Sequence, residues 1–170
     1  ISYLYRGQCQ SVIAVNGAFD AACPCEGVFG AQENCTDGQQ VFCNLFFDIH
    51  STKAKQFGFC MELEEGQKLT CCGDEPYNEC EHKYAVNSTW LLHEAFCLFS
   101  QADKFKPYEK HHSTVKDACQ LAQELNVDNL ILYHTEDKNI SRRKELYTEE
   151  GKPCYKGNLF IPDDLETLEL

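Results

Sequence analysis

The sequence has 170 residues, of which 43% are hydrophobic and 12% aromatic, and it carries a formal net charge of −12. This length and composition suit one folded domain with a substantial core, and they exclude an intrinsically disordered chain. The acidic charge argues against a broad nucleic-acid-binding face, because such faces rely on lysine and arginine to neutralise phosphates.

The chain shows no sign of a membrane segment. No apolar run approaches the ~18 residues of a membrane span. The N-terminus lacks a basic segment followed by an apolar stretch and a cleavage site. We therefore expect no membrane partner and a soluble, cytoplasmic protein.

The first 40 residues differ from the remainder. Residues 1–40 are rich in Gly, Ala, Gln and Cys and have no sustained hydrophobic period, so they form an unassigned N-terminal segment. From residue 41 the pattern is regular, and residues 41–170 are predicted to form the domain. Strands are predicted at 41–49, 56–63 and 68–72, the last two joined as a hairpin by a turn at Glu65-Gly66.

In the second half of the chain the sequence pattern predicts alternating helices and strands. A polar helical connection is expected up to residue 85, followed by a strand at 89–92. Thr114 and Asp117 have the form of a capping box ahead of a helix over 115–125. That helix leads into a strand at 130–133, as in α/β units. Residues 142–150 predict a charged surface helix, and apolar residues alternate weakly from residue 158.

Cysteine is abundant, with 12 in the chain. In a secreted protein this number would indicate a disulfide framework, so the redox state stays open. Five of the cysteines lie inside apolar runs, where a free thiol packs like a small hydrophobic side chain. We predict a core position for Cys60, Cys71, Cys72, Cys97 and Cys119.

Four predicted strands end at an acid or a histidine. Asp74 follows the strand at 68–72, His50 and His134 follow two others, and His93-Glu94 follow the fourth. Taken singly, each is more simply a hydrogen-bonded histidine or a helix-capping acid. At one end of a sheet, however, His50, Asp74 and His134 would meet in a cleft. Such a set suits zinc, manganese or iron.

Five motifs follow one another along the chain: His50, Gly73-Asp74-Glu75-Pro76, His93-Glu94-Ala95-Phe96, His112-Ser113-Thr114 and Tyr133-His134-Thr135. In order and spacing they resemble the second half of metallo-β-lactamase-fold hydrolases, and most closely the ribonuclease Z-like branch. The resemblance spans residues 46–170. The resemblance implies an α/β fold, the C-terminal half of an αβ/βα sandwich in which mixed sheets are packed between helices.

The resemblance also implies roles for individual residues. His50 would ligate a first divalent metal ion, His134 a second, and Asp74 would bridge the two. His112 would be the catalytic proton donor or the stabiliser of the transition state, with Glu94 as an orienting carboxylate. The expected cofactors are two divalent metal ions, with zinc first and manganese or iron as alternatives. Together these groups would activate a water for hydrolysis.

The sequence also departs from the family pattern. The H-x-H-x-D-H ligand motif has no counterpart, because residues 1–49 contain no histidine. Three explanations are open: a piece of a longer hydrolase, a member that lost its metal centre, or a site completed by another chain. After His134 the family's serine and arginine-tyrosine pattern is absent, and no basic arm that could hold transfer RNA is visible. Together with the acidic charge, this argues against transfer RNA as a partner.

The function predicted is metal-dependent hydrolysis of a phosphodiester in a small-molecule or nucleotide-like substrate, with acyl or lactone esters as further substrates. We also expect that the chain can form a homodimer. Two alternatives belong to other classes. One is an incomplete or inactive domain with a binding role. The other is a mononuclear iron oxygenase that uses His50, Asp74 and His134 as ligands.

Overall fold

A computed structural model describes residues 29–34, 40–48 and 56–168, and these residues form a seven-stranded sheet in the order β1 to β7. The strands are β1 (Phe29–Asn34), β2 (Gln40–Asp48), β3 (Gln56–Glu62), β4 (Lys68–Cys71), β5 (Trp90–Glu94), β6 (Asn129–Tyr133) and β7 (Asn158–Phe160). The helices are α1 (His82–Ala85), α2 (Ala102–Phe105), α3 (Val115–Glu124) and α4 (Arg143–Gly151). The sheet is mixed, because β1 to β4 are antiparallel neighbours and β4 to β7 are parallel neighbours.

The antiparallel part confirms the predicted strands and hairpin. Strand β3 turns into β4 through a single 3-10 turn, Glu64–Gly66, and pairs with it from Glu62↔Lys68 to Phe59↔Cys71. Gly66 has φ 75°, a left-handed conformation that glycine adopts without steric cost. Strand β1 pairs with β2 and lies within the segment left unassigned from sequence. Its sequence FGAQEN lacks the alternation that marks a half-buried strand.

Helices connect the parallel strands. The capping box predicted for α3 is present: the Thr114 hydroxyl accepts from the Asp117 N–H at 3.3 Å, and the Asp117 carboxylate accepts from the Thr114 N–H at 2.9 Å. Strand β5 is longer than predicted, since it continues through Glu94. The extra residues pair with β6, where Glu94 lies opposite Tyr133.

The two faces of the sheet are packed differently. One face, through Leu91 and Leu130, packs against buried residues of α1, α3 and α4. The opposite face carries a second apolar cluster without helical residues: Leu69, Cys71, Trp90, Leu92 and Ile131. Strand β5 is buried along its whole length, as expected for a parallel strand covered on both faces.

The structure confirms the predicted class of fold. The described residues form one mixed sheet and one helix layer, which is one half of an αβ/βα sandwich. The five cysteines predicted for the core are free and buried. None of the helices in this part of the chain is long and apolar enough to cross a membrane.

Candidate metal centre

The candidate centre lies where three neighbouring parallel strands end. Asp74 follows β4, Glu94 is the last residue of β5, and His134 follows β6. The register places these ends level with one another, because Cys71 pairs with Leu92 and Glu94 with Tyr133. The carboxyl ends of parallel strands are the usual location of ligand sites in α/β sheets.

The turn that presents Asp74 is fixed by its neighbours. Gly73 has φ 82°, which an L side chain adopts only with strain, so glycine suits the turn. The Tyr133 hydroxyl donates a hydrogen bond to the Gly73 carbonyl and thereby ties the turn to β6. The Asp74 side chain is 38% exposed as a whole, whereas its Oδ1, the oxygen that faces the histidines, is buried.

Asp74, His112 and His134 bring three potential ligand atoms together. Asp74 Oδ1 lies 3.1 Å from His134 Nε2 and 3.8 Å from His112 Nδ1. One donor atom from each residue lies within 4.8 Å of the other two. Donors around a tetrahedral zinc ion are roughly 3.4 Å apart, given metal–ligand distances of about 2.1 Å. The spacing and the mixed nitrogen and oxygen donors therefore fit a divalent ion.

His134 occupies an unusual backbone conformation. Its φ is 52°, in the left-handed region that few residues other than glycine adopt. Such conformations cost on the order of 1–3 kcal/mol and persist where surrounding contacts impose them. Here the Ala95 N–H donates to the Tyr133 carbonyl at 3.0 Å, and the Glu136 N–H donates to the Phe96 carbonyl at 2.8 Å. The backbone is thus held on both sides of His134.

Arg143 supports the same loop, and sequence reasoning missed it. The predicted surface helix begins here, but the Arg143 side chain is 7% exposed. Its Nη1 donates to Thr135 Oγ1 at 2.8 Å, and its Nη2 contacts the carbonyl of Pro162 and the carboxylate of Asp163. No local sequence signal marks Arg143, because its partners Thr135, Pro162 and Asp163 lie outside its helix.

Glu94 is fully buried behind His112. Its carboxylate accepts hydrogen bonds from the Ser113 N–H, from Ser113 Oγ at 2.5 Å and from the Phe96 N–H at 3.1 Å. Glu94 Oε2 also lies 3.7 Å from His112 Nδ1. Burial raises the pKa of Glu94 to about 7, although the Ser113 hydrogen bonds act in the opposite direction. Glu94 therefore fixes the backbone and side chain next to His112.

Three other histidines of the described residues lie outside this cluster. His93 precedes Glu94 on the strand and points to the opposite face, as alternate strand residues do. It is buried, its Nδ1 lies 2.6 Å from the Glu94 carbonyl, and burial lowers its pKa. His82 and His111 are exposed. The predicted ligand His50 lies outside the described residues, so its position stays a prediction.

The described residues therefore unite four of the five predicted site residues. Asp74, Glu94, His112 and His134 meet at one edge of the sheet. Ser113 was not singled out from sequence, although it stands in the quoted His112-Ser113-Thr114 motif. Its hydroxyl and N–H are the main partners of Glu94.

Comparisons with known proteins identify relatives by sequence and by fold. No protein-family profile matches the chain. Ribonuclease Z of Archaeoglobus fulgidus is 32% identical over 109 residues, which cover 64% of this chain and 34% of the relative. Ribonuclease Z of Pyrobaculum aerophilum is 39% identical over 80 residues, which cover 46% of this chain and 26% of the relative.

Two solved structures share the fold. The metallo-β-lactamase-fold protein YhfI of Bacillus subtilis superposes with a TM-score of 0.58 at 15% identity, covering 72% of this chain and 47% of YhfI. The short form of human tRNase Z gives a TM-score of 0.55 at 21% identity, covering 79% of this chain and 45% of that protein. This chain has the metallo-β-lactamase fold and resembles ribonuclease Z over part of its length.

The ribonuclease Z-like chain matches only part of its relatives. It spans about a third or less of the length of the curated ribonuclease Z proteins. Its single sheet and single helix layer agree with the coverage of 47% and 45% of the two solved structures. The predicted resemblance and the predicted half of the fold are both confirmed.

Proposed function

We propose that this ribonuclease Z-like chain supplies one side of a metal-dependent phosphodiesterase site. The observation that carries the proposal is the approach of Asp74 Oδ1 to His134 Nε2 at 3.1 Å, with His112 Nδ1 at 3.8 Å. These atoms belong to three separate loops, and the sheet positions two of them directly. The names of the relatives support RNA as the substrate class.

Asp74 and His134 would be the metal ligands of this side. A divalent ion bound there would lower the pKa of a water molecule and stabilise negative charge on the reacting phosphate. Asp74 has two carboxylate oxygens, so it can contact two ions, and we propose zinc for both. His50 would then ligate the ion farther from His134.

His112 would donate a proton to the leaving oxygen. Its Nδ1 lies 3.8 Å from the Asp74 carboxylate and 3.7 Å from the Glu94 carboxylate, and these contacts orient the ring. Glu94 has a pKa of about 7, so it can exchange a proton beside His112 near neutral pH. A positioned histidine of this kind typically contributes 10²–10⁴-fold to a rate.

The relatives also bear on whether transfer RNA is a substrate. The acidic charge and the absence of a visible basic arm argued against transfer RNA. One structural neighbour, however, is a tRNase Z, and its fold matches 79% of this chain. We therefore propose an RNA phosphodiester as the substrate and include transfer RNA among the RNAs to be assayed.

The donor set also suits a second candidate function. Two histidines and one carboxylate are the ligands of mononuclear iron oxygenases, and Asp74, His112 and His134 are such a set. Oxygen consumption by the iron-loaded protein would support this function. Unchanged oxygen levels together with phosphodiester hydrolysis would exclude it.

The hydrolase proposal is tested by metal content and activity. The chain is purified without added metal, analysed for bound metals, and assayed with bis(p-nitrophenyl) phosphate before and after chelation. We expect bound zinc, activity that the chelator abolishes, and an Asp74→Ala variant at least 100-fold less active. Asp164→Ala, at an exposed position, is the control and should keep both properties. Absence of bound metal, with activity that Asp74→Ala leaves unchanged, would overturn the proposal.

A further inference from the structure

The segment between β5 and α3 differs in charge from the rest of this acidic chain. Residues 95–114 contain three lysines and two acids, whereas the whole sequence has 15 basic and 27 acidic residues. The segment ends with the motif His112-Ser113-Thr114, directly beside the candidate metal centre. The local excess of positive charge is therefore next to the proposed chemistry.

Two of these lysines are held over aromatic rings. Lys110 Nζ lies 4.8 Å from the centre of the Phe96 ring, and Lys104 Nζ lies 4.7 Å from the centre of the Phe105 ring. The two rings meet edge to face, with centroids 6.5 Å apart. We call Phe96, Phe105, Lys104 and Lys110 the lysine–aromatic edge. Both lysines are exposed.

The lysine–aromatic edge is continuous with the candidate metal centre. Phe96 stacks on His112 with ring centroids 5.0 Å apart and an interplanar angle of 17°. Its centroid is also 6.3 Å from that of His134. One aromatic ring therefore separates the Lys110 ammonium group from the two histidines.

The charges of these lysines are available to a ligand. Within residues 56–168, no ion pair involves Lys104 or Lys110, whereas Lys144 and Arg143 pair with acids of the C-terminal tail. The contacts with Phe96 and Phe105 restrict the two side chains near the site, which lowers the entropy lost when an anion binds.

We infer that the lysine–aromatic edge is a phosphate subsite, at which Lys104 and Lys110 bind backbone phosphates beside the scissile bond of an RNA strand. The inference rests on the proposed function for the position of that bond. Lysine binds phosphate as a compact point charge, and the strand offers a phosphate at every nucleotide. A substrate with a single phosphodiester cannot fill both the centre and this subsite. The subsite therefore selects a polynucleotide over a mononucleotide.

The direct test is RNA binding by the metal-loaded chain. The probe is a fluorescein-labelled single-stranded decaribonucleotide, compared with a labelled mononucleotide, and anisotropy is measured from 50 to 200 mM KCl. The Lys104→Met/Lys110→Met double variant should bind the decamer at least 10-fold more weakly. Its slope of log affinity against log salt should be smaller by about 1.4, at roughly 0.7 for each lost phosphate contact.

Two further variants separate charge from other effects. Lys83 makes the same kind of contact, with Nζ 4.9 Å from the Tyr84 ring centre, but it lies on α1 outside the edge. Lys83→Met should therefore leave decamer binding unchanged. Lys110→Arg keeps the charge and should retain most of the affinity, which the methionine variant loses.

The outcomes distinguish this inference from the proposed function. If the double variant hydrolyses bis(p-nitrophenyl) phosphate normally but binds the decamer weakly, both proposals are supported. If the wild type binds the decamer through the lysines without hydrolysing either substrate, the proposed function fails and the subsite stands. The inference is overturned if the decamer binds no better than the mononucleotide, if the double variant binds it normally, or if Lys83→Met weakens binding equally.

Discussion

Asp74 and Glu94 stand at the ends of neighbouring parallel strands, yet their surroundings differ. The Asp74 side chain is 38% exposed and its Oδ1 faces two imidazoles. The Glu94 side chain is fully buried and accepts three hydrogen bonds from Ser113 and Phe96. Two neighbouring strand ends thus yield one partly exposed carboxylate and one enclosed carboxylate.

This difference assigns ion binding to Asp74 and structural support of the backbone to Glu94. A partly exposed carboxylate that faces two histidines can take an ion at little cost to the fold. An enclosed carboxylate with satisfied hydrogen bonds holds backbone in place, and its removal leaves buried donors unpaired. We therefore expect substitutions of Asp74 to affect ligand binding and substitutions of Glu94 to affect stability.

The largest expected effect is the loss of stability in Glu94→Ala. The substitution leaves the Ser113 N–H, the Ser113 hydroxyl and the Phe96 N–H without their carboxylate partner. Each buried donor left unpaired costs about 1–3 kcal/mol, so the free energy of unfolding should fall by about 4 kcal/mol in urea denaturation. Asp74→Ala should change it by less than about 1 kcal/mol. Equal destabilisation by the two substitutions would contradict the separate roles of Asp74 in binding and Glu94 in stability.

The next effect is the pH dependence of stability that Glu94 imposes. Its pKa is about 7 in the folded protein, against an ordinary value of 4.5. Between these values the unfolded chain releases the proton first, so stability falls as pH rises and levels off above pH 7. The total is on the order of 3 kcal/mol. Glu94→Gln cannot titrate, so its denaturation curves should lose this slope between pH 4.5 and 7. An unchanged slope would contradict the raised pKa.

A smaller effect is expected from Arg143, which supports the His134 loop through Thr135. Groups that orient metal ligands typically change metal affinity by 10–100-fold. Arg143→Met should therefore weaken Co²⁺ binding about 10-fold in calorimetric titration. Arg142→Met is the matched control, because Arg142 is 62% exposed and pairs only with Glu145 among the described residues. If the two variants bind Co²⁺ equally, Arg143 has no positioning role.

Much of the fold followed from local patterns in the sequence. The capping box of Thr114 and Asp117 and the hairpin turn at Glu65-Gly66 were predicted because each depends on a few adjacent residues. Strand β1 could not be predicted, since it is specified by pairing with β2 rather than by its own alternation. The end of β5 was placed too early for the same reason, because Glu94 is held by its pairing with β6.

Site residues could be predicted from sequence where they directly follow a strand. Residues that reach the site through long-range contacts could not be predicted. Asp74 and His134 directly follow apolar runs, which marks them in the sequence. The burial of Arg143 depends on Thr135 and on the tail at Pro162 and Asp163, and no local pattern encodes those contacts. The lysine–aromatic edge was likewise hidden, because the net charge of the chain is acidic.

The most direct test of the central claim is calorimetric titration of Zn²⁺ into the wild type, Asp74→Asn and Glu94→Gln. These two substitutions each replace a carboxylate by an amide of the same size, at neighbouring strand ends. We predict that the wild type binds Zn²⁺, that Asp74→Asn binds it at least 100-fold more weakly, and that Glu94→Gln stays within about 10-fold of the wild type. Wild-type affinity in Asp74→Asn, or no binding by the wild type, would contradict the account.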